Sequence, residues 1–359
     1  MVDRMVGPMG IRRVNRKVSR PVGSLGPVQP GSVPVHQEWP ARLHVVTGKG
    51  GTGKTTVAAA LALALAAGGH RILLVEVEGR QGIAQLFGTD PLPYQERTIA
   101  TTGDGGEVCA LAVDPERALL EYLDRFYRLG AAGRALRRVG AIDFATTIAP
   151  GLRDVLLTGK VKEATTRTEA GRRIYRAVVL DAPPTGRICR FLNVTAETAK
   201  LAKVGPIKTQ SEGVAALLRS PMTAVHAVTL LEEMPVQETL DTLADLADLG
   251  LPVGRIVINA TRTPLLTGVT VPAGGAVIPV SKARLRDGLA AAGLPTDPAT
   301  VRGLYAETVD HAARERLEST LRAELARLGR PSVELPLLPD GVDRAGLARL
   351  ASVLSAPPA

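Results

Sequence analysis

Residues 48–56 read GKGGTGKTT. The stretch follows the apolar run 43–46, LHVV, and precedes 57–61, VAAAL, so it connects a predicted strand to a predicted helix. In such a turn, glycines let successive backbone N–H groups point at one anion, and the helix N-terminus adds the positive end of its dipole. A glycine-rich turn without a ligand is the alternative. The chain has 9 lysines against 35 arginines, so two lysines within nine residues favour a phosphate-binding loop.

The stretch satisfies the pattern G-x-x-x-x-G-K-[ST], whose fixed places are held by Gly48, Gly53, Lys54 and Thr55. The Lys54 ammonium is expected against the β- and γ-phosphates of a nucleotide, and the Thr55 hydroxyl is expected to bind Mg²⁺. The other candidate phosphate contacts of the loop are Gly50, Gly51, Thr52 and Thr56. The sequence therefore predicts a site for ATP and Mg²⁺.

Lys49, directly after the first glycine, is not needed by an ordinary phosphate loop. A lysine in this place resembles the signature-lysine branch of phosphate-loop ATPases, which includes the plasmid-partition and septum-site ATPases and the nitrogenase iron protein. The resemblance implies a dimer, either of identical chains or with a paralogous ATPase, in which Lys49 reaches the partner's phosphates as a catalytic residue. A cation supplied in trans would couple phosphoryl transfer to dimer closure.

Residues 176–181, RAVVLD, read as a buried strand that ends in Asp181, and an aspartate there can hold Mg²⁺ directly or through water. The next residues, 182–187, read APPTGR and resemble the DTAPTGH switch of the arsenical-pump-driving and tail-anchored-protein-targeting ATPases. The resemblance extends over about residues 40–359 and, with the arginine-heavy, alanine-rich composition, suggests an actinobacterial-type member. It implies that Asn259 reads the adenine and that the loop containing Pro339 lies along the base.

The first switch departs from this family. The family has DPAH after its second strand, and that aspartate orients the attacking water, whereas this chain has Glu78 in its place. Glutamate keeps the carboxylate but reaches one methylene further, and a misplacement of ~1 Å can reduce a rate on the order of 10²-fold. Glu78 is therefore the candidate water-orienting residue of an ATPase that is slow or dependent on a partner.

The two cysteines, Cys109 and Cys189, lie far apart and form no C-x-x-C motif. This argues against a structural zinc and against the clustered thiolates with which the family senses arsenite, and it favours a reducing compartment. No apolar run approaches the ~18 residues of a membrane span. We expect a cytoplasmic protein, either free or peripheral to a membrane.

Apolar runs that read as buried parallel strands alternate with helical stretches, which predicts an α/β, three-layer phosphate-loop fold with a mainly parallel central sheet. The runs are 43–47, 72–77, 108–113, 176–181, 223–230, 254–259 and 332–336. Residues 1–39 are rich in proline and glycine and predict a disordered basic tail, and 40–359 predict the ATPase domain. A helical insert is expected at about 115–173.

The net charge of +9 is concentrated in the tail, because residues 1–42 hold seven basic and two acidic residues. With 3% aromatic residues and no aromatic residues between basic ones, no nucleic-acid partner is expected. The insert is also arginine-rich, with Arg134, Arg137 and Arg138. It is interpreted either as a solvated face or as a docking surface for an acidic partner or membrane headgroups.

Three functional hypotheses follow. The leading one is a switch ATPase that dimerises around Mg-ATP, hydrolyses it and handles an unknown protein or membrane client. The second is a nucleotide-gated regulatory or scaffold subunit with negligible turnover, which the substitution by Glu78 keeps open. The third is the ATPase subunit of an anion or metalloid efflux pump, which the absence of a cysteine cluster weakens.

Overall fold

The computed structural model describes residues 39–127, 150–201, 206–266 and 281–356. The predicted tail therefore lies outside the described residues except for Trp39, and so do Arg134, Arg137 and Arg138 of the insert. Trp39 itself is buried, and its indole N–H donates to the Leu354 carbonyl at 3.0 Å. Trp39, which the sequence analysis assigned to the tail, thus packs against the helix Arg344–Ser355.

An eight-stranded sheet in the order β10-β9-β8-β1-β7-β2-β4-β3 forms the centre of the protein. All its neighbouring pairs are parallel except β3 with β4. The strands are β1 Leu43–Gly48, β2 Arg71–Glu76, β3 Arg97–Thr101, β4 Glu107–Ala112, β7 Ala177–Asp181, β8 Thr223–Thr229, β9 Val253–Thr261 and β10 Ser332–Pro336, and a separate hairpin consists of β5 Thr168–Glu169 and β6 Arg172–Arg173. The mainly parallel α/β sheet predicted from the apolar runs is confirmed.

Helices cover both faces of this sheet. They are α1 Lys54–Ala66, α2 Gly82–Leu86, α3 Pro115–Tyr127, α4 Pro150–Thr166, α5 Thr185–Leu201, α6 Pro206–Leu218, α7 Glu233–Asp248, α8 Lys282–Ala291, α9 Pro298–Ala326 and α10 Arg344–Ser355. One apolar core contains residues of α1, α2 and α10, and the other contains residues of α3 to α7 and α9. The architecture is therefore the predicted three-layer one.

Strand β1 lies between β7 and β8, and this position brings the phosphate loop to the middle of the sheet's carboxyl edge. Val46 pairs with Asp181 of β7, and Gly48 pairs with Val228 of β8. A Cβ atom on Gly48 would lie 2.2 Å from the Val228 carbonyl oxygen, so only glycine fits where the loop leaves the strand. Strand order thus places the loop beside the acidic end of β7.

Helix α1, which follows the loop, is buried along nearly its whole length because its residues are almost all alanine and leucine. It packs against β1, β2 and β7 on one side and against α10 on the other. Small side chains allow this close approach from several directions. Among the described residues, no helix is both long enough and apolar enough to cross a membrane.

Two features were absent from the sequence-based expectations. Strand β3 is the antiparallel edge strand, and only its adjacent residues Ile99 and Ala100 are buried, so it does not form a continuous apolar run. The hairpin β5–β6 is two residues long on each side and exposed. Both are edge features, which are typically short and more polar than central strands.

Candidate functional site

The phosphate loop is a compact turn closed by its own hydrogen bonds. The Lys49 carbonyl accepts from the backbone N–H of Thr52 at 3.3 Å and from the Thr52 hydroxyl at 2.9 Å. Gly51 and Gly53 have φ angles of 91° and 86°, which residues with a Cβ rarely adopt. Gly53, which the sequence pattern requires, and Gly51, which it does not, therefore both have a direct conformational role.

Lys54 is buried at the base of this loop, and its Nζ donates to the Lys49 carbonyl at 3.3 Å. Burial lowers the pKa of Lys54, and the carboxylates of Asp181 and Glu78 act in the opposite direction. The ammonium is thus held among backbone groups and acids at the end of the sheet, where a nucleotide's phosphates would supply compensating negative charge.

Thr55 and Asp181 meet as the sequence predicted for a Mg²⁺ site. The Thr55 hydroxyl donates to Asp181 Oδ2 at 2.7 Å. Burial raises the pKa of Asp181 to about 6, with a contribution from Glu76, while the Thr55 bond opposes the rise. A cavity of about 40 Å³ lies beside them, lined by Lys54, Thr55, Glu76, Glu78, Arg80, Gly82 and Asp181.

This donor set fits Mg²⁺, because the ion prefers hard oxygen ligands from one or two carboxylates and retains several waters. Thr55 and Asp181 would hold it. A divalent cation would also compensate the negative charge of the buried Asp181 carboxylate, whose burial raises its pKa. The cavity has room for an ion with a few waters and not for a nucleotide. The nucleotide would consequently lie above it, over the loop.

Glu76, the last residue of β2, is a site residue that the sequence analysis missed. Its buried carboxylate accepts from the backbone N–H of Gln81 at 2.5 Å and of Ile83 at 3.3 Å. Gln81 has a φ of 56°, and left-handed backbone at a non-glycine residue persists only where its surroundings enforce it. Glu76 therefore fixes the loop that carries Glu78.

Glu78 lies at the same cavity and is flanked by two arginines. Its carboxylate is 3.6 Å from Arg80 Nη2 and 3.5 Å from Arg187 Nη1. Arg80 belongs to the first switch and Arg187 to the second, so Glu78 bridges the two segments. The structure thus brings the substituted glutamate to the cavity that the candidate Mg²⁺ residues also line.

Lys49, the signature lysine, does not face the cavity. Its Nζ is 2.7 Å from Oε1 of Glu238 on α7, and the other carboxylate oxygen of Glu238 accepts from the Thr185 hydroxyl at 2.8 Å. These contacts hold the pKa of Glu238 below its usual range, chiefly through the bond from Lys49. Glu238 is a second site residue that the sequence analysis missed.

Asn259 reaches the phosphate loop from the end of β9, with Nδ2 donating to the Thr52 carbonyl at 2.9 Å. Pro339 is exposed in the segment after β10 and has no described contact with the loop. Gly50 is exposed, whereas Thr56 is partly buried in the first turn of α1. The structure therefore gathers the predicted residues of the loop, both switches and Asn259, and leaves Pro339 apart.

The fold and this site define a phosphate-loop protein of the nucleotide-binding α/β class. The chain belongs to the anion-transporting ATPase family, whose model matches residues 41–222. It is 54% identical over 323 residues to a protein named ATPase BagA from Mycobacterium tuberculosis, covering 88% of this chain and 95% of the relative. The family resemblance stated from the sequence is confirmed, and the mycobacterial relative fits an actinobacterial-type member.

More distant relatives agree with this assignment. The arsenical pump-driving ATPase of Escherichia coli is 31% identical over 232 residues, which is 62% of this chain and 36% of the relative. The ATPase GET3 of Kluyveromyces lactis is 26% identical over 249 residues, covering 60% of this chain and 70% of the relative. All three relatives, like the family, are named as ATPases.

Proposed function

We propose that the protein is a switch ATPase that binds Mg-ATP, dimerises around it and couples its hydrolysis to the handling of a protein or membrane client. The observation that carries this proposal is the 2.7 Å contact between Thr55 and Asp181 beside the buried Lys54 ammonium. A hydroxyl, a carboxylate and an ammonium at the end of a glycine loop form the set that phosphate-loop enzymes use for Mg-ATP.

Each side chain has a defined task in this proposal. Lys54 neutralises charge on the β- and γ-phosphates, while Thr55 and Asp181 hold the metal, which in turn would neutralise the phosphate oxygens. Glu78 orients the attacking water. Lys49 completes the partner's site after closure, in a homodimer or in a heterodimer with a paralogous ATPase. Asn259, already at the loop, reads the base or positions the loop under it.

Titration of Mg-ATP into the protein, followed by measurement of oligomeric state and phosphate release, tests the proposal. We expect saturable binding that depends on Mg²⁺, a dimer with a non-hydrolysable ATP analogue, and measurable turnover in the wild type. Lys54→Ala should abolish binding, because it removes the cation that faces the phosphates. Equal affinity in wild type and Lys54→Ala would contradict the site assignment.

The cysteines favour a client other than a metalloid. Cys109 is buried in the sheet and Cys189 lies on α5. Burial raises the pKa of the Cys189 thiol to about 11, so it remains protonated near neutral pH, and thiolates are the form that binds soft metal ions. We expect arsenite and antimonite to leave ATP turnover unchanged. Stimulation that requires both cysteines would support the efflux-pump alternative.

A nucleotide-gated scaffold with negligible turnover is the second candidate, and the position of Glu78 favours it. A carboxylate with Arg80 and Arg187 within 3.6 Å is already engaged on two sides. Single-turnover measurement separates the candidates, because a scaffold would close around ATP without releasing phosphate. An acidic protein, a paralogous ATPase or anionic lipid that raised turnover would instead favour the partner-dependent enzyme.

A further inference from the structure

The signature lysine is held within its own chain by a carboxylate from a different structural element. Lys49 Nζ lies 2.7 Å from Glu238 Oε1, a distance typical of a charge-assisted hydrogen bond. The Lys49 and Glu238 side chains are 30% and 34% exposed. The pair is therefore accessible, and separating it leaves no charge stranded in the core.

The same carboxylate also holds the start of the second switch. Glu238 Oε2 accepts from Thr185, which is the first residue of α5 and follows Asp181 by one short turn. The same first turn of that helix carries Arg187, which pairs with Glu78. Glu238 thus connects the loop that precedes Lys54 to the segment that contains Asp181.

The ion pair between Lys49 and Glu238 conflicts with the role of Lys49 in the proposed dimer. An ammonium paired with Glu238 of its own chain cannot at the same time reach the partner's phosphates. Because the proposed enzyme needs Lys49 in trans, the pair has to separate before the two protomers can complete each other's sites. The hydrogen bond from Thr185 goes to the other carboxylate oxygen of Glu238, so it can persist when the pair separates.

We infer that Glu238 is a positioning residue that holds Lys49 in cis and thereby sets how readily the protein closes around ATP. The inference rests on the proposed function, since it assumes that closure moves Lys49 to the partner. Glu238 touches no reacting atom. It acts through Lys49, and the free energy of the contact between the two side chains is lost on closure.

The test compares Glu238→Gln with the matched control Glu232→Gln. Glutamine keeps the shape and hydrogen-bonding reach of residue 238 but removes the charge that pairs with Lys49. Glu232 lies just before the first turn of the same helix, is exposed and makes no described ion pair, so its substitution removes the same charge without touching Lys49. Thermal unfolding of both variants should match wild type, because both sites are at the surface.

Two readouts separate the contact from the closure. The first is the acetylation rate of the Lys49 amine in the nucleotide-free protein, measured by mass spectrometry. We expect it to rise roughly two- to fivefold in Glu238→Gln, the range for an exposed ion pair, and to stay at the wild-type rate in Glu232→Gln. Equal Lys49 rates in all three proteins would overturn the inference.

The second readout is the dissociation constant of the dimer formed with Mg²⁺ and AMPPNP, measured by sedimentation. Because two pairs separate per dimer, we expect a constant roughly four- to twenty-five-fold lower in Glu238→Gln, with unchanged AMPPNP affinity in the monomer. Faster acetylation without a shift in this constant would overturn the coupling to closure. A wild-type protein that binds AMPPNP but never dimerises would overturn the proposed function, and the acetylation rates would still report on the contact itself.

Discussion

Gly53 and Asn259 occupy complementary space: a Cβ atom on residue 53 would lie 2.3 Å from Nδ2 of Asn259. Gly53 also caps α1 with left-handed backbone at a φ of 86°. The second fixed glycine of the phosphate loop is therefore required both by its own conformation and by an amide from the end of β9.

Gly53→Ala should destabilise the nucleotide-free protein by about 1–3 kcal/mol, because it adds backbone strain and displaces Asn259 from the loop. Chemical denaturation measures the loss, and ATP affinity should fall with it. Gly50→Ala is the matched control, since a Cβ there meets nothing within 4 Å. Equal losses in the two variants would mean that the contact with Asn259 is unimportant.

Asp181 predicts a pH-dependent stability. Its pKa rises from 3.8 to about 6 on folding, so the unfolded chain loses this proton at lower pH than the folded one. Its contribution to the free energy of unfolding is therefore complete below about pH 4 and is lost as pH rises to about 6. The total loss is on the order of 3 kcal/mol. Urea denaturation of wild type and Asp181→Asn in EDTA should show the difference between them changing in that window and constant above it.

The dependence reverses for the metal. Mg²⁺ binds the ionised carboxylate, so the Mg²⁺-dependent part of ATP affinity should increase as pH rises through about 6. Asp181→Asn should weaken Mg²⁺-dependent binding at every pH and remove this increase. Calorimetric titration at pH 5.5 and 7.5 measures both effects, and an unchanged pH profile in the variant would assign the metal to other ligands.

Glu78→Gln should reduce phosphate release at least tenfold and leave Mg-ATP affinity nearly unchanged, because an amide can occupy the same place but cannot accept a proton from water. Glu76→Gln is the informative comparison. The Glu76 carboxylate accepts from the backbone of Gln81 and Ile83, so its loss should lower stability and loosen the first switch. Wild-type turnover in Glu78→Gln would transfer the task to another group.

Substitution of the two lysines of the loop should have different effects on ATP binding and turnover. Lys49→Ala is expected to retain ATP binding by the monomer and to lose both turnover and ATP-dependent dimerisation, because its proposed target is the partner's phosphate. Lys54→Ala is expected to lose binding itself. Fluorescence titration with a labelled nucleotide distinguishes them, and equal loss of affinity would contradict the assignment of Lys49 to the partner's site.

The parts of this molecule that the sequence predicted are those with local signals. The loop carries its pattern within nine residues, and β7 shows Asp181 directly after an apolar run. Glu76 also stands at the end of a buried strand, so the reasoning that selected Asp181 could have found it. Glu78 was selected instead because it stands in place of the family's aspartate.

Glu238 could not be selected in this way. It lies on an amphipathic surface helix among other acidic residues, and only the packing of α7 beside β1 and α5 brings it to Lys49 and Thr185. Ion pairs between surface residues that are far apart along the chain leave no periodic pattern in the sequence. Strand β3 was missed for a related reason, because a half-buried edge strand lacks the continuous apolar run of the strands at the centre of the sheet.

Helix α1 has almost no solvent-facing residue, since it is enclosed between the sheet and α10. Its packing therefore holds it in place. We expect any movement on ATP binding to occur in the segments after β2 and β7. Helix α10 covers its outer side, and the Trp39 indole is hydrogen-bonded to the same helix. A truncation before Arg344 would expose the alanine-rich flank of α1 and remove the support of the phosphate loop. Helix α10 thus supports the phosphate loop indirectly, through its packing on α1.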